Sequence, residues 1–299
     1  MNPGKDRVIV ASRGSKLALA QTRQATNLLS LSYPDIKFEI KVFQTSGDSS
    51  AEHNSAIVSE FPGVFVKEIE AALLRGEADL AVHSLKDMPL ESDPSLEIAA
   101  VLPREDPRDA LYTRDGARLK DMPAQSLIGT SSPRRLEQIK ALRNDIQVKP
   151  IRGNVDTRIR KVEEGIYDGI VVALAGLKRL GLYDWHVCPF SVEEIVPAPG
   201  QGIIAIQGCS GSYPTKLAAK LNNRATWTCA RAERAFLKAM GGGCASIIGA
   251  YAELSGSTIM LSVVAKVGSE LVRLRCDGTA RLPEVVAGRA AEKMLALSA

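Results

Sequence analysis

The sequence of 299 residues is poor in the residue types that build metal, redox and disulfide sites. Its three histidines, His53, His83 and His186, are too few and too separated for a metal cluster. Its five cysteines, Cys188, Cys209, Cys229, Cys244 and Cys276, are odd in number and contain no CxxC pair, so neither zinc nor a disulfide framework is indicated. Long apolar runs are also missing: no stretch approaches the roughly 20 residues of a membrane span. The opening Met1-Asn2-Pro3-Gly4-Lys5-Asp6-Arg7 leads into a strand-like Val8-Ile9-Val10-Ala11 with no apolar core of the roughly 7–15 residues a signal peptide needs. The expectation is a cytoplasmic protein with no membrane partner, reduced thiols and no metal.

What is present is apolar material in α/β order. A hydrophobic content of 45% is enough for two or three cores. Strand-like runs alternate with helical periodicity: Val8–Ala11, a helix from about Leu17 to Leu29, the alternating Phe38–Phe43, a helix near Phe65–Arg75 and a strand Ala78–His83. A second unit follows the Pro- and charge-rich Pro103–Arg108, with strands near Leu127–Gly129, Gln147–Ile151 and Gly169–Ala173 and helices at Pro133–Leu142 and Val155–Glu164. After Pro197–Gly202 the run Ile203–Ile206 reads as a strand returning to the first sheet. The last 75 or so residues change character: a helix near Arg224–Met240, a glycine run, strands at Ile248–Leu254, Thr258–Val267 and Leu271–Arg275, and a closing helix from about Leu282. This pattern predicts a small α+β C-terminal domain.

The charge is concentrated. Between Gly129 and Arg160 eight basic residues stand against three acidic ones, a local excess of +5 in a chain whose net charge is +4. The arginines fall in two loops that open onto helices, Thr130-Ser131-Ser132-Pro133-Arg134-Arg135 and Arg152-Gly153-Asn154-Val155-Asp156-Thr157-Arg158. Helix N-termini attract anions, and a guanidinium fork matches carboxylate or phosphate oxygens. A nucleic-acid surface is the plainer alternative, but it usually interleaves lysines with aromatics, and this region has two lysines and no aromatic. Small-molecule carboxylates fit better.

Three more places carry chemistry. Ser12-Arg13-Gly14-Ser15 follows the first strand and reads as an anion contact or simply a helix cap. His83-Ser84-Leu85-Lys86-Asp87-Met88-Pro89 ends a buried strand; Pro89 is expected to hold the turn extended, leaving Lys86 and Asp87 at a strand terminus or as an ordinary surface pair. Gly241-Gly242-Gly243-Cys244 puts a thiol on a glycine loop, either reactive or buried and inert.

Together these segments, with Thr45-Ser46-Gly47-Asp48, Ala175-Gly176-Leu177-Lys178-Arg179-Leu180 and Pro199-Gly200-Gln201-Gly202, resemble the porphobilinogen deaminase (hydroxymethylbilane synthase) family of tetrapyrrole synthesis over Ser12 to about Leu254. The resemblance implies two α/β domains like type II periplasmic binding proteins with a cleft, residues 1–102 with 203–219 and residues 103–202, and a third, α+β domain, residues 220–299. It implies a dipyrromethane cofactor attached through Cys244, with Lys86, Thr130, Ser131, Ser132, Arg134 and Arg135 binding it. Asp87 is the implied catalytic carboxylate, and Arg13, Ser15, Arg152, Arg158, Arg179 and Gln201 the implied ligands of porphobilinogen. It also implies a monomer with no nucleic-acid partner. Where the family commonly has Gly-Lys-Gly-Leu-Phe, this chain has Phe61-Pro62-Gly63-Val64-Phe65 and so lacks a basic residue there. A binding protein closing two α/β domains on an anion is the competing reading; Asp87 and the Cys244 loop separate the two, since a simple binder needs neither.

Overall fold

The structure, a computed structural model, describes residues 6–43, 64–242 and 247–297. The sequence-predicted Thr45–Asp48 motif, the Phe61–Gly63 departure and Cys244 lie outside the described residues. The chain divides into two compact units, residues 1–104 with 203–227, and residues 105–202 with 228–299.

In the first unit, β1 (Arg7–Arg13), α1 (Lys16–Ser32), β2 (Lys37–Phe43), α2 (Val64–Leu74), β3 (Leu80–Ser84), β4 (Leu96–Val101) and β10 (Ile204–Cys209) form a sheet ordered β2-β1-β3-β10-β4. The strands β1, β2 and β3 run parallel, and β10 enters antiparallel between β3 and β4. Helices cover both faces, so β3 reads as a nearly continuous apolar run rather than an alternating one. On one face Val8, Val10, Leu80, Val82, Ile204 and Ile206 meet Ala25 and Leu29 of α1 and Ala218 of α6 (Tyr213–Ala219). On the other, Ala11 and Ala81 meet Ile69 and Leu73 of α2.

The second unit repeats the scheme. Its elements β5 (Asp109–Thr113), β6 (Leu127–Gly129), α3 (Pro133–Leu142), β7 (Gln147–Lys149), α4 (Val155–Glu163), β8 (Gly169–Ala173), α5 (Leu174–Arg179) and β9 (Val187–Pro189) give the order β7-β6-β8-β5-β9. Again three strands are parallel and one, here β5, is antiparallel between two neighbours. The two units thus share one α/β architecture, a five-stranded sheet with one antiparallel strand set between two neighbours. After α7 (Arg224–Ala239), the strands β11 (Ile248–Ser255), β12 (Thr258–Val267) and β13 (Glu270–Thr279) make an antiparallel sheet backed by α8 (Pro283–Ala296), the small C-terminal sheet domain. Among the described residues no helix is long and apolar enough to cross a membrane.

Candidate functional site

The first group of site residues stands at the ends of β1 and β3. Ser15 caps α1, its Oγ accepting from the Ala18 N–H at 3.2 Å, so its hydroxyl serves the helix start that the sequence also allowed. Gln21 of α1 and Ser84 at the end of β3 hydrogen-bond each other, with Gln21 Nε2 to Ser84 Oγ at 2.9 Å, and tie the helix to the strand end. Lys86 and Asp87 do not continue that strand. They occupy a single 3₁₀ turn, Leu85–Asp87, anchored by Leu85 N–H to the Ile203 carbonyl at 3.0 Å. The expectation of an extended turn is corrected here: Pro89 restricts only its immediate predecessor, and Met88, at φ −76° and ψ 138°, is the residue that becomes extended. Lys86 is half-buried and Asp87 exposed.

Behind this turn His83 is buried, and desolvation pushes its pKa down to about 4; the neighbouring Arg13 lowers it further, while Gln207 works in the opposite direction. In the unfolded chain an imidazole titrates near 6.5. Below that pH the unfolded chain takes up a proton that the folded chain refuses, so stability is complete above about pH 6.5 and falls as the pH drops toward about 4. The expected loss is about 2 kcal/mol between pH 7 and pH 5. Urea midpoints of the protein and of a His83→Gln variant across that range measure it, and parallel curves for the two would remove His83 as the source.

The second group lies in the second unit. Ser132 caps α3 from its Oγ, and Pro133 takes the first helical position, where its missing N–H costs nothing. Thr130 Oγ1 accepts from the Ser132 N–H, and Ser131 Oγ bridges the Ile151 carbonyl and N–H at 2.7 and 3.1 Å, which ties the two arginine loops together. Arg134 and Arg135 follow in the first turn of α3, the wrong end of a helix dipole for positive charge. They turn inward. Asp109, fully buried at the start of β5, accepts from Arg134 Nη1 at 2.7 Å and from Arg135 Nη2 and Nε at 2.6 and 3.0 Å. Burial works against the Asp109 charge, but the two guanidiniums overcome it and hold the carboxyl well below its ordinary range. Gln201, also fully buried, donates from Nε2 to Asp109 at 3.0 Å and to the Pro107 carbonyl at 2.7 Å. Three residues expected to meet ligands directly, Arg134, Arg135 and Gln201, thus converge on one internal carboxylate that the sequence reading did not single out.

Arg158 and Arg179 are compensated less. Gly153, at φ +107°, turns the second loop where a Cβ would sit 2.9 Å from Thr157 Cγ2, and its carbonyl accepts from Arg158 Nε at 2.8 Å. Arg158 is half-buried, lies beside Arg135 and has no ion pair among the described residues; desolvation first and Arg135 second lower its pKa to about 10. Arg179, at the end of α5, donates from Nη2 to the Gly202 carbonyl at 2.8 Å, while its buried Nε has no hydrogen-bond partner. Its neighbour Lys178 is paired with Glu105 and Asp106 at 3.3 and 3.5 Å. Arg152 is exposed. Desolvated guanidiniums short of carboxylates are costly unless an anion arrives, so Arg158 and Arg179 fit a ligand carrying several carboxylate groups.

Comparison with known proteins agrees with that chemistry. Residues 8–216 match a family model described as "Porphobilinogen deaminase, dipyromethane cofactor binding domain", and residues 227–296 match "Porphobilinogen deaminase, C-terminal domain". The porphobilinogen deaminase of Syntrophomonas wolfei is 46% identical over 84% of this chain and 82% of its own. That of Thiobacillus denitrificans is 43% identical over 97% of this chain and 95% of its own. A protein of Ignicoccus hospitalis, named a probable porphobilinogen deaminase, is 43% identical over 98% and 96% of the two chains.

Proposed function

The chain belongs to the porphobilinogen deaminase family, the hydroxymethylbilane synthases of tetrapyrrole biosynthesis, and on that footing we propose that it joins four porphobilinogen molecules head to tail on a covalent dipyrromethane and releases the linear product by hydrolysis. The observation that carries this reading beyond family membership is the desolvated, half-buried guanidinium at Arg158 and Arg179. Each pyrrole brings two carboxylates, so a lengthening chain needs fixed cations rather than mobile ones.

Asp87 assists proton transfer to the departing amine of porphobilinogen, which leaves as ammonia, and its negative charge then stabilises the cationic azafulvene formed from the substrate. The same carboxylate takes the pyrrole α-proton once the new carbon–carbon bond is made. Arginines stay protonated in this pH range and act as positioners of acetate and propionate, not as bases. Arg13, Arg152, Arg158 and Arg179 serve the substrate and the growing chain, and Lys86 and the Thr130–Ser132 loop serve the cofactor. Arg134 and Arg135 act with Asp109 and Gln201: two guanidiniums on one carboxylate leave a net positive charge at the start of α3. The dipyrromethane, when bound, supplies the first nucleophilic pyrrole carbon and stays with the enzyme. Its attachment point is Cys244, and residues 220–299 form the domain that carries it. The protein is a cytoplasmic monomer whose two α/β domains are residues 1–102 with 203–219 and residues 103–202.

The test is the mass of the intact, denatured protein before and after incubation with porphobilinogen, followed by peptide mapping. A two-pyrrole adduct on the Cys244 peptide is expected, absent in Cys244→Ser. A thiol that stays unmodified after incubation would remove the polymerase reading and leave an anion-binding protein.

A further inference from the structure

His83, Gln207 and Glu70 form a buried polar row that the mechanism above does not use. The pairings Ala11↔Ala81 between β1 and β3, and Ala205↔His83 and Gln207↔Ala81 between β10 and β3, place His83 and Gln207 on one face of the sheet. This is the face covered by α2, where Glu70 sits among Ile69 and Leu73. All three side chains are at least nine-tenths buried. Glu70 accepts a hydrogen bond from Gln207 Nε2 at 2.8 Å.

That bond decides which way the amide faces. In it the Glu70 carboxyl oxygen takes the NH₂ end of Gln207 and leaves Oε1 as the end available to the rest of the row. Oε1 of Gln207 and Nε2 of His83 are both buried without an ordinary hydrogen bond, and Gln207 is the polar neighbour that acts on the imidazole. Two such atoms can satisfy each other in one way only. An amide oxygen needs a donor, so Nε2 must carry the ring proton.

We propose that Glu70 and Gln207 are a positioning pair: the carboxylate orients the amide, and the amide oxygen selects the neutral Nε2–H form of His83, four residues before Asp87. The groups that act on the imidazole are Gln207 from β10 and Arg13 from β1; Glu70 of α2 reaches it through Gln207, and Lys86 and Asp87 lie on the turn that follows β3. A charged imidazole here would be a buried cation beside Arg13. A neutral one leaves the carboxylate-binding strength of Arg13 and Lys86 constant across the range in which an ordinary histidine titrates. The functional part of this proposal rests on the reading of Asp87 given above; the tautomer does not.

The experiment is long-range ¹⁵N–¹H NMR of the full-length protein labelled in its three histidines, with His53→Gln and His186→Gln used for assignment. The wild type is expected to show His83 as neutral Nε2–H from pH 8 to below pH 5. Glu70→Gln should mix the tautomers, because the amide is no longer oriented. Gln207→Glu should raise the His83 titration by at least one pH unit and add an ionisation between pH 5 and 8 to the kcat/KM profile that the wild type lacks. An Nδ1–H wild type, titration near pH 6.5, or an unchanged tautomer in Glu70→Gln would overturn the proposal. A protein with the expected tautomer but no turnover would count against the proposed reaction and leave the positioning pair in place.

Discussion

Asp87→Asn is expected to lower kcat by about 10²–10⁴-fold with KM for porphobilinogen changed little. Asparagine keeps the size and shape of the side chain, and the arginines that hold the substrate carboxylates are untouched. What disappears is the ability to pass a proton to the amine and to face the cation that develops as ammonia leaves, and both are needed only in the transition state. The fold is not at risk: Asp87 is exposed, and its turn is held by backbone bonds, Leu85 N–H to Ile203 and Met88 N–H to Leu85. Steady-state kinetics with a urea melt as control measure the effect. Near-normal turnover in a folded variant would take Asp87 out of the chemistry.

Asp109→Asn is expected to act in the opposite way, through the fold. Arg134 and Arg135 are 4% and 8% exposed and share this single carboxylate. Removing one partner of a buried ion pair costs about 3–5 kcal/mol, because the remaining charge stays desolvated. Here two charges are left behind, and Arg158 already lies beside Arg135. A loss of that size is a large share of the roughly 5–15 kcal/mol by which proteins are stable. A urea midpoint within experimental error of the wild type would mean that the two guanidiniums find other acceptors. Asp109→Glu keeps the charge and should recover much of the stability.

The two variants mark where sequence is informative. Helix and strand periodicity located Pro133–Leu142, Leu127–Gly129, Gly169–Ala173 and Thr258–Val267 as the structure has them. Each has an uninterrupted apolar pattern or a capped start, so local signals agree with the final packing. The strand Asp109–Thr113 was missed because it begins on a charge straight after Pro103–Arg108 and so reads as linker. Its aspartate can be buried only because two arginines 25 and 26 residues later fold onto it. The same distance hides the inward turn of Arg134 and Arg135: a basic loop looks like a ligand site until its internal counterion is known. The row of Glu70, His83 and Gln207 joins residues up to 137 positions apart in sequence, and no short motif could reveal it.

The order of strands also has a consequence for how the molecule is made. The strands Leu80–Ser84 and Leu96–Val101 become neighbours in the first sheet only through Ile204–Cys209, which leaves the ribosome about a hundred residues after Val101. At typical translation speeds of about 5–20 residues per second, the nascent first sheet waits about 5–20 s with the inner edge of β3 unpaired. The second sheet waits less, since its antiparallel strand, Asp109–Thr113, meets its neighbours once Gly169–Ala173 and Val187–Pro189 are synthesised, a shorter stretch of chain. Of the two five-stranded sheets, the one that begins the chain is therefore completed later, and during that interval its open strand edge is where a chaperone or an aggregating neighbour would take hold.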